Sequence, residues 1–347
     1  MVGAQHAGNP RRPTLQVENA RPLELPDLKA TWMKSRMKLL GIAMLMAAGL
    51  QSGSWAAEDA SCRTVRFADV GWSDIAATTG MASVVLEGLG YKPTVTIASI
   101  PIAFAGLKNR QIDVFLGYWN PSMTPVIEPF VKAGQIAVLE PPNLEGAKYT
   151  LAVPQAVYDK GLRSFADIAR FEKDLQGKIH GIEPGSDANA LILGMIRDGK
   201  YGLGNFKLVE SSEAGMLAEA QRAVRGNRPI VFLGWEPHPM NVQMKMRYLT
   251  GGDEIFGPNL GEARVYTAVP PAYATRCPNV TAFLQNLKFT AEMANHVMGP
   301  ILNKVKPTTA ARDFLKRHPS ILDAWLKGVK TFDGKDGAPE VAAALKR

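Results

Sequence analysis

One segment of this chain is written twice. Asn109-Arg110-Gln111-Ile112-Asp113-Val114-Phe115-Leu116-Gly117-Tyr118-Trp119-Asn120-Pro121 returns as Asn227-Arg228-Pro229-Ile230-Val231-Phe232-Leu233-Gly234-Trp235-Glu236-Pro237. Each copy reads as a turn, a buried strand ending Phe-Leu-Gly, a Trp just beyond the strand, and then Pro. A second echo pairs Tyr149-Thr150-Leu151-Ala152-Val153-Pro154 with Tyr266-Thr267-Ala268-Val269-Pro270. Doubled strand units predict two similar lobes. The second pair predicts two matching strands that cross between them.

The surrounding chain alternates short β-rich runs with helical stretches, which predicts an α/β fold. Residues 64–68 read as a first strand. Ser73 is placed to cap a helix over 74–89, with Ile75, Ala82, Leu86 and Leu89 on one face and Gly90 as its stop. Residues 94–97 and 112–116 read as the second and third strands, and Pro101 opens a short helix between them. From Thr281 onward the spacing is helical, and this region is expected to pack around the first lobe. Trp325 there reads as ordinary core beside Leu322 and Leu326, and the tail from Gly334 as a short amphipathic helix.

Ligands of open α/β sheets bind outside the carboxyl ends of the strands. Trp72, Trp119 and Trp235 all follow predicted strands, so three aromatics from different strands are expected to meet in one cleft. A single loop Trp serves equally well as a lid on the core; three at equivalent positions favour a shared pocket. Such a pocket suits a quaternary ammonium. That cation donates no N–H hydrogen bond and is held by π faces, each worth about 0.5–2 kcal/mol. Asp74 adds a negative charge or an acceptor for a hydroxyl, beside its ordinary role in the first turn of a helix.

Charge argues against nucleic acid. The chain carries 40 Lys+Arg and 32 Asp+Glu, but seven of the bases and three of the acids precede Ala57. The remainder holds 33 bases and 29 acids, with no dense basic stripe. The preceding segment looks like an export signal. Lys34, Arg36 and Lys38 lead a 12-residue apolar run over 39–50, followed by the small-x-small sites Ser54-Trp55-Ala56 and Trp55-Ala56-Ala57. The run falls short of the roughly 20 residues that span a bilayer. Residues 1–56 are therefore expected to be removed, with translation starting at Met33 or Met37.

Only two cysteines are present, Cys62 and Cys277. In an oxidising compartment they invite a bridge; otherwise they are two unrelated buried thiols. Two Cys and five scattered His give no metal-ligand spacing, and neither metal nor cofactor is expected. No Gly-x-Ser-x-Gly elbow or His-Glu-x-x-His helix appears. His238, between Pro237 and Pro239 and near Trp235, is the one His worth testing for chemistry, and reads as a structural turn residue.

Several long motifs in order resemble the periplasmic choline-binding proteins of the glycine betaine/choline solute-binding family of ABC importers. They are Asp69-Val70-Gly71-Trp72-Ser73-Asp74-Ile75, Asp113 to Pro121, Lys148-Tyr149-Thr150-Leu151-Ala152, Gly181-Ile182-Glu183-Pro184-Gly185-Ser186-Asp187, and Phe232 to Asn241. The similarity runs from Cys62 to about Lys330. It implies a type II periplasmic binding fold, two α/β lobes joined by two hinge strands. Lobe 1 would comprise 57–150 and 267–347, and lobe 2 would comprise 151–266. It implies an aromatic box of Trp72, Trp119, Tyr149 and Trp235 around a trimethylammonium group, with Asp74 bonding the choline hydroxyl. It also implies a Cys62–Cys277 disulfide. Ser186 stands where the choline-binding pattern has Asn, at a position expected to contact the hydroxyl end. The implied protein is a monomeric, non-enzymatic periplasmic receptor that passes choline to an inner-membrane permease. Glycine betaine, proline betaine or carnitine are the alternative ligands. A carboxylate ligand would meet Asp74 and be repelled, with no compensating Arg in view.

Overall fold

The computed structural model describes residues 58–347. The predicted export signal lies outside them. The strands are β1 (Thr64–Asp69), β2 (Lys92–Ile97), β3 (Phe115–Asn120), β4 (Ala137–Pro154), β5 (Lys178–His180), β6 (Lys207–Val209), β7 (Phe232–Glu236), β8 (Met246–Tyr248) and β9 (Glu262–Val269). The longer helices, numbered here, are α1 (Ser73–Gly88), α2 (Ile100–Lys108), α3 (Thr124–Lys132), α4 (Asp187–Arg197), α5 (Glu213–Arg225), α6 (Pro278–Asn286), α7 (Ala291–Leu302), α8 (Pro307–Arg317) and α9 (Gly337–Lys346).

Two groups of strands meet on two shared strands. β2 pairs with β1 in parallel, and a Phe67–Val114 bridge ties β1 to the start of β3. β3 runs antiparallel to β9, and β9 antiparallel to β4. β4 then changes partner. Its early residues pair with β9 and its late residues with β7, and Lys148 faces both Glu262 and Glu236. Beyond β7 lie the parallel strands β5 and β6, while β8 pairs with the end of β4. β4 and β9 are thus the strands that the Tyr149 and Tyr266 echo predicted, and they join two α/β halves. Parallel pairs occur inside each half, where helices cover the sheet.

Helix α1 forms the centre of the first half. Its residues from Ser73 to Leu86 are buried with the single exception of Ala76, because α7, α8 and α9 wrap the side that β1 and β3 leave open. The one apolar face predicted from sequence is therefore too narrow. Small residues such as Ala77, Thr78, Thr79 and Ala82 fill the rest of the circumference and let neighbours approach closely. Gly90, at φ +87°, follows the helix where predicted.

Three local expectations change. Ser73 is the first residue of α1 rather than its cap; Trp72 holds the cap position, with no side-chain cap bond. The third strand starts and ends later than 112–116, so Trp119 lies within β3 rather than beyond it, and Trp235 likewise lies within β7. The helical pattern beginning near Thr281 breaks at Leu287, and Thr290 restarts it by accepting the Met293 N–H at 3.1 Å. Trp325 is buried as core, its indole N–H donating to Lys288 O at 3.2 Å. Cys62 and Cys277 form a disulfide.

Candidate functional site

Sheet register brings the aromatic residues together. Tyr149 sits on β4 just past the point where that strand changes partner, and its register partner on β7 is Trp235. Side chains directly opposite each other in an antiparallel pair share one face. Trp119, near the end of β3, reaches the same place, with its ring centroid 5.5 Å from that of Tyr149. Trp72 enters from the turn after β1. Gly71, at φ +87°, allows that turn, and Asp69 Oδ1 accepts the Gly71 N–H at 2.7 Å.

These buried residues line a small, tight pocket walled by Trp72, Asp74, Trp119, Tyr149, Ile182 and Trp235. The walls come from both halves: Trp72, Asp74 and Trp119 from the first, Ile182 and Trp235 from the second, and Tyr149 from the shared strand. Ile182 had no role in the sequence reading, although it lies inside a quoted motif. Ser186 is not part of the lining. It caps α4, with its Oγ accepting the Asn189 N–H at 3.3 Å. Both Ser and Asn cap helices well, so a change between them preserves that job.

Polar partners fix some of the rings. The Trp72 indole N–H donates to Glu183 Oε1 at 2.7 Å, and the Tyr149 hydroxyl donates to Asp187 Oδ1 at 3.2 Å. Among the described residues, two polar atoms of the pocket lining have no hydrogen-bond partner: Asp74 Oδ1 and Trp119 Nε1. A buried polar group left this way is costly unless a ligand completes it.

The electrostatics carry one sign. Among the described residues, no Lys or Arg lines the pocket, whereas Asp69, Asp74, Glu183, Asp187 and Glu213 gather around it. Burial, with the neighbouring Glu213 and then Asp69, pushes Asp74 up to about 8. Burial raises Asp69 to about 6. Glu183 and Asp187 are raised too, again chiefly by burial. Acids pushed toward neutrality by desolvation and by each other mark a site that gains from a cation.

An aromatic pocket of this charge, set between two α/β halves that share two hinge strands, defines a type II solute-binding protein. The chain belongs to the family described as the substrate binding domain of ABC-type glycine betaine transport systems, OpuAC, whose model matches residues 63–317. A solved ABC-transporter choline binding protein in complex with choline is 50% identical, covers 83% of this chain and all of its own, and superposes with a TM-score of 0.81. A Chromohalobacter salexigens protein called ORF1 is 50% identical over 149 residues, which is 43% of this chain and 94% of that protein. The glycine betaine/carnitine transport binding protein GbuC of Listeria monocytogenes is 30% identical over 169 residues, or 48% of this chain. The match spans only 55% of GbuC.

Proposed function

We propose that this chain is the exported receptor of an ABC importer for choline. One observation carries the reading: four aromatic rings and the Asp74 carboxyl, whose Oδ1 has no hydrogen-bond partner, close on one small pocket. Trp72, Trp119, Tyr149 and Trp235 would face the trimethylammonium group. Cation–π contacts of about 0.5–2 kcal/mol each supply several kcal/mol over such a box, and burial of the methyl groups and the hydroxyl bond to Asp74 add to them. The choline hydroxyl would donate to Asp74 Oδ1. Ser186 acts through the start of α4 in this reading rather than by touching the ligand. The solved choline complex at 50% identity supports the same assignment.

The protein binds its ligand without transforming it, works as a monomer, and is exported by a signal cleaved near Ala57. It delivers its ligand to a membrane permease. The lobes divide near 150 and 267, a boundary supported by the partner change on β4 and by the pairing of β9.

Titrating choline is expected to change Trp fluorescence with a micromolar or tighter Kd, and Trp235→Ala to weaken binding by at least about 1 kcal/mol, close to fivefold. Unchanged fluorescence with choline, acetylcholine and betaine alike would overturn the reading.

Glycine betaine is the second candidate, favoured by the raised Asp74: a neutral carboxyl can donate to a ligand carboxylate instead of repelling it. Competition of betaine against bound choline separates the two.

A further inference from the structure

We infer that Glu213 is a positioning residue that clamps the two halves of the molecule around the box without touching the ligand. This rests on the choline-receptor reading above, and deepens it by naming a residue that holds the walls together.

The geometry is a chain of hydrogen bonds from one half to the other. Glu213 begins α5 in the second half, and Ser73 begins α1 in the first. The Ser73 backbone N–H donates to Glu213 Oε2 at 2.8 Å, and the Ser73 hydroxyl donates to Glu213 Oε1 at 2.7 Å. His238 Nδ1 accepts the Met240 N–H at 3.0 Å, so the ring proton lies on Nε2 and donates to Glu213 Oε1 at 3.1 Å. The imidazole also packs edge-on against Trp235, centroids 4.8 Å apart. Ser73, His238 and Glu213 are all buried.

Each end of this chain is bonded to the box. Ser73 sits between Trp72 and Asp74, and His238 braces Trp235. A buried carboxylate beside Asp74 and Asp69 is costly, and it persists only where several donors satisfy it. Here three donors do, and two of them come from across the cleft. The hydroxyl of Ser73 is thereby spent on Glu213 rather than on capping α1. Trp72 to Glu183 forms a second link in the same direction.

Gln at 213 cannot replace this arrangement. Its amide oxygen can accept from Ser73 N–H, but its NH₂ then faces the His238 Nε2–H, which the Met240 bond keeps in place. Glu213→Gln is expected to raise the choline Kd at least about fivefold, almost entirely through faster dissociation in stopped-flow fluorescence. Ser73→Ala, which removes only the hydroxyl, is expected to raise it about threefold. The double variant is expected to match Glu213→Gln alone, because both act through one link. A Glu213 that served only the start of α5 would lower Tm and leave the Kd and dissociation rate where they were.

Small-angle scattering without choline provides an arm that does not depend on the ligand, with Glu213→Gln expected to shift toward a larger radius of gyration. Choline binding equally to all four proteins, or penalties that simply multiply in the double variant, overturns the clamp and leaves the ligand assignment intact. A wild type that ignores choline while Glu213→Gln expands removes the ligand assignment and keeps the clamp.

Discussion

Asp74 is where the chemistry of the pocket concentrates in one group. Buried beside Glu213 and Asp69, its carboxyl is pushed up to about 8, so below that pH it is mostly protonated. A bound cation favours the ionised form, and so does a hydroxyl that donates to it. If choline is the ligand, its binding must therefore displace a proton. Its Kd is expected to fall as pH rises from about 6 to about 8, approaching tenfold per unit, and to level off above. Calorimetry in buffers of different ionisation enthalpy should find close to one proton released at pH 7 and almost none at pH 9. Betaine, accepting from the neutral acid, should run the opposite way. A flat choline profile would contradict this assignment of charge. The same shift is unfavourable to the ligand-free protein at high pH. Unfolded Asp74 would ionise near 3.8, so its contribution to stability is lost as pH climbs from about 4 through about 8. At this scale the sequence exposed the aromatic residues and Asp74, because each follows or lies in a recognisable strand unit. Glu213 was hidden. Ser212-Glu213 reads as an ordinary helix start, and nothing local tells that its carboxylate bonds a residue 140 positions away. Ile182 was quoted in a motif, yet an isoleucine carries no sign of lining a pocket.

At the scale of elements, the repeated Phe-Leu-Gly strand does two things that its pattern alone does not separate. It supplies a buried core strand, and it brings a Trp to the cleft from within the strand rather than past its end. The glycine of the first copy has a steric reason. A Cβ on Gly117 would lie 2.6 Å from Ile75 Cδ1 and 3.0 Å from Ile75 Cγ1. β3 thus presses against the first turn of α1, the turn that carries Asp74. Gly117→Ala is expected to cost about 1–3 kcal/mol by overpacking and to weaken choline binding as α1 shifts. Chemical denaturation and a choline titration on one preparation check both. Wild-type stability and Kd would show that the contact is looser than the structure has it. Strand positions were legible to within a few residues because alternation and turn residues are local signals. Packing of the C-terminal helices around the first lobe was legible too, but the burial of α1 on all sides was not, since that depends on partners distant in sequence.

For the whole molecule, the organising fact is that β4 and β9 belong to both halves, so the box forms only when those halves are held together. Tyr149 lies on the shared strand at the partner change, with Trp72 and Trp119 on one side and Trp235 on the other. The Cys62–Cys277 disulfide ties the first strand region to the start of α6, closing a loop of 215 residues. In the chain-entropy account a loop of that size contributes up to about 5 kcal/mol. The two echoes in the sequence predicted the two lobes and the strands that cross between them, whereas Tyr149 in the box and the disulfide pairing came only with the family resemblance. The most direct test of the account is a crystal structure grown with choline. The account predicts the quaternary nitrogen within about 6 Å of the ring centroids of Trp72, Trp119, Tyr149 and Trp235, with the hydroxyl on Asp74. Choline seated outside those rings, or absent at saturating concentration while the pocket stays closed, would contradict it.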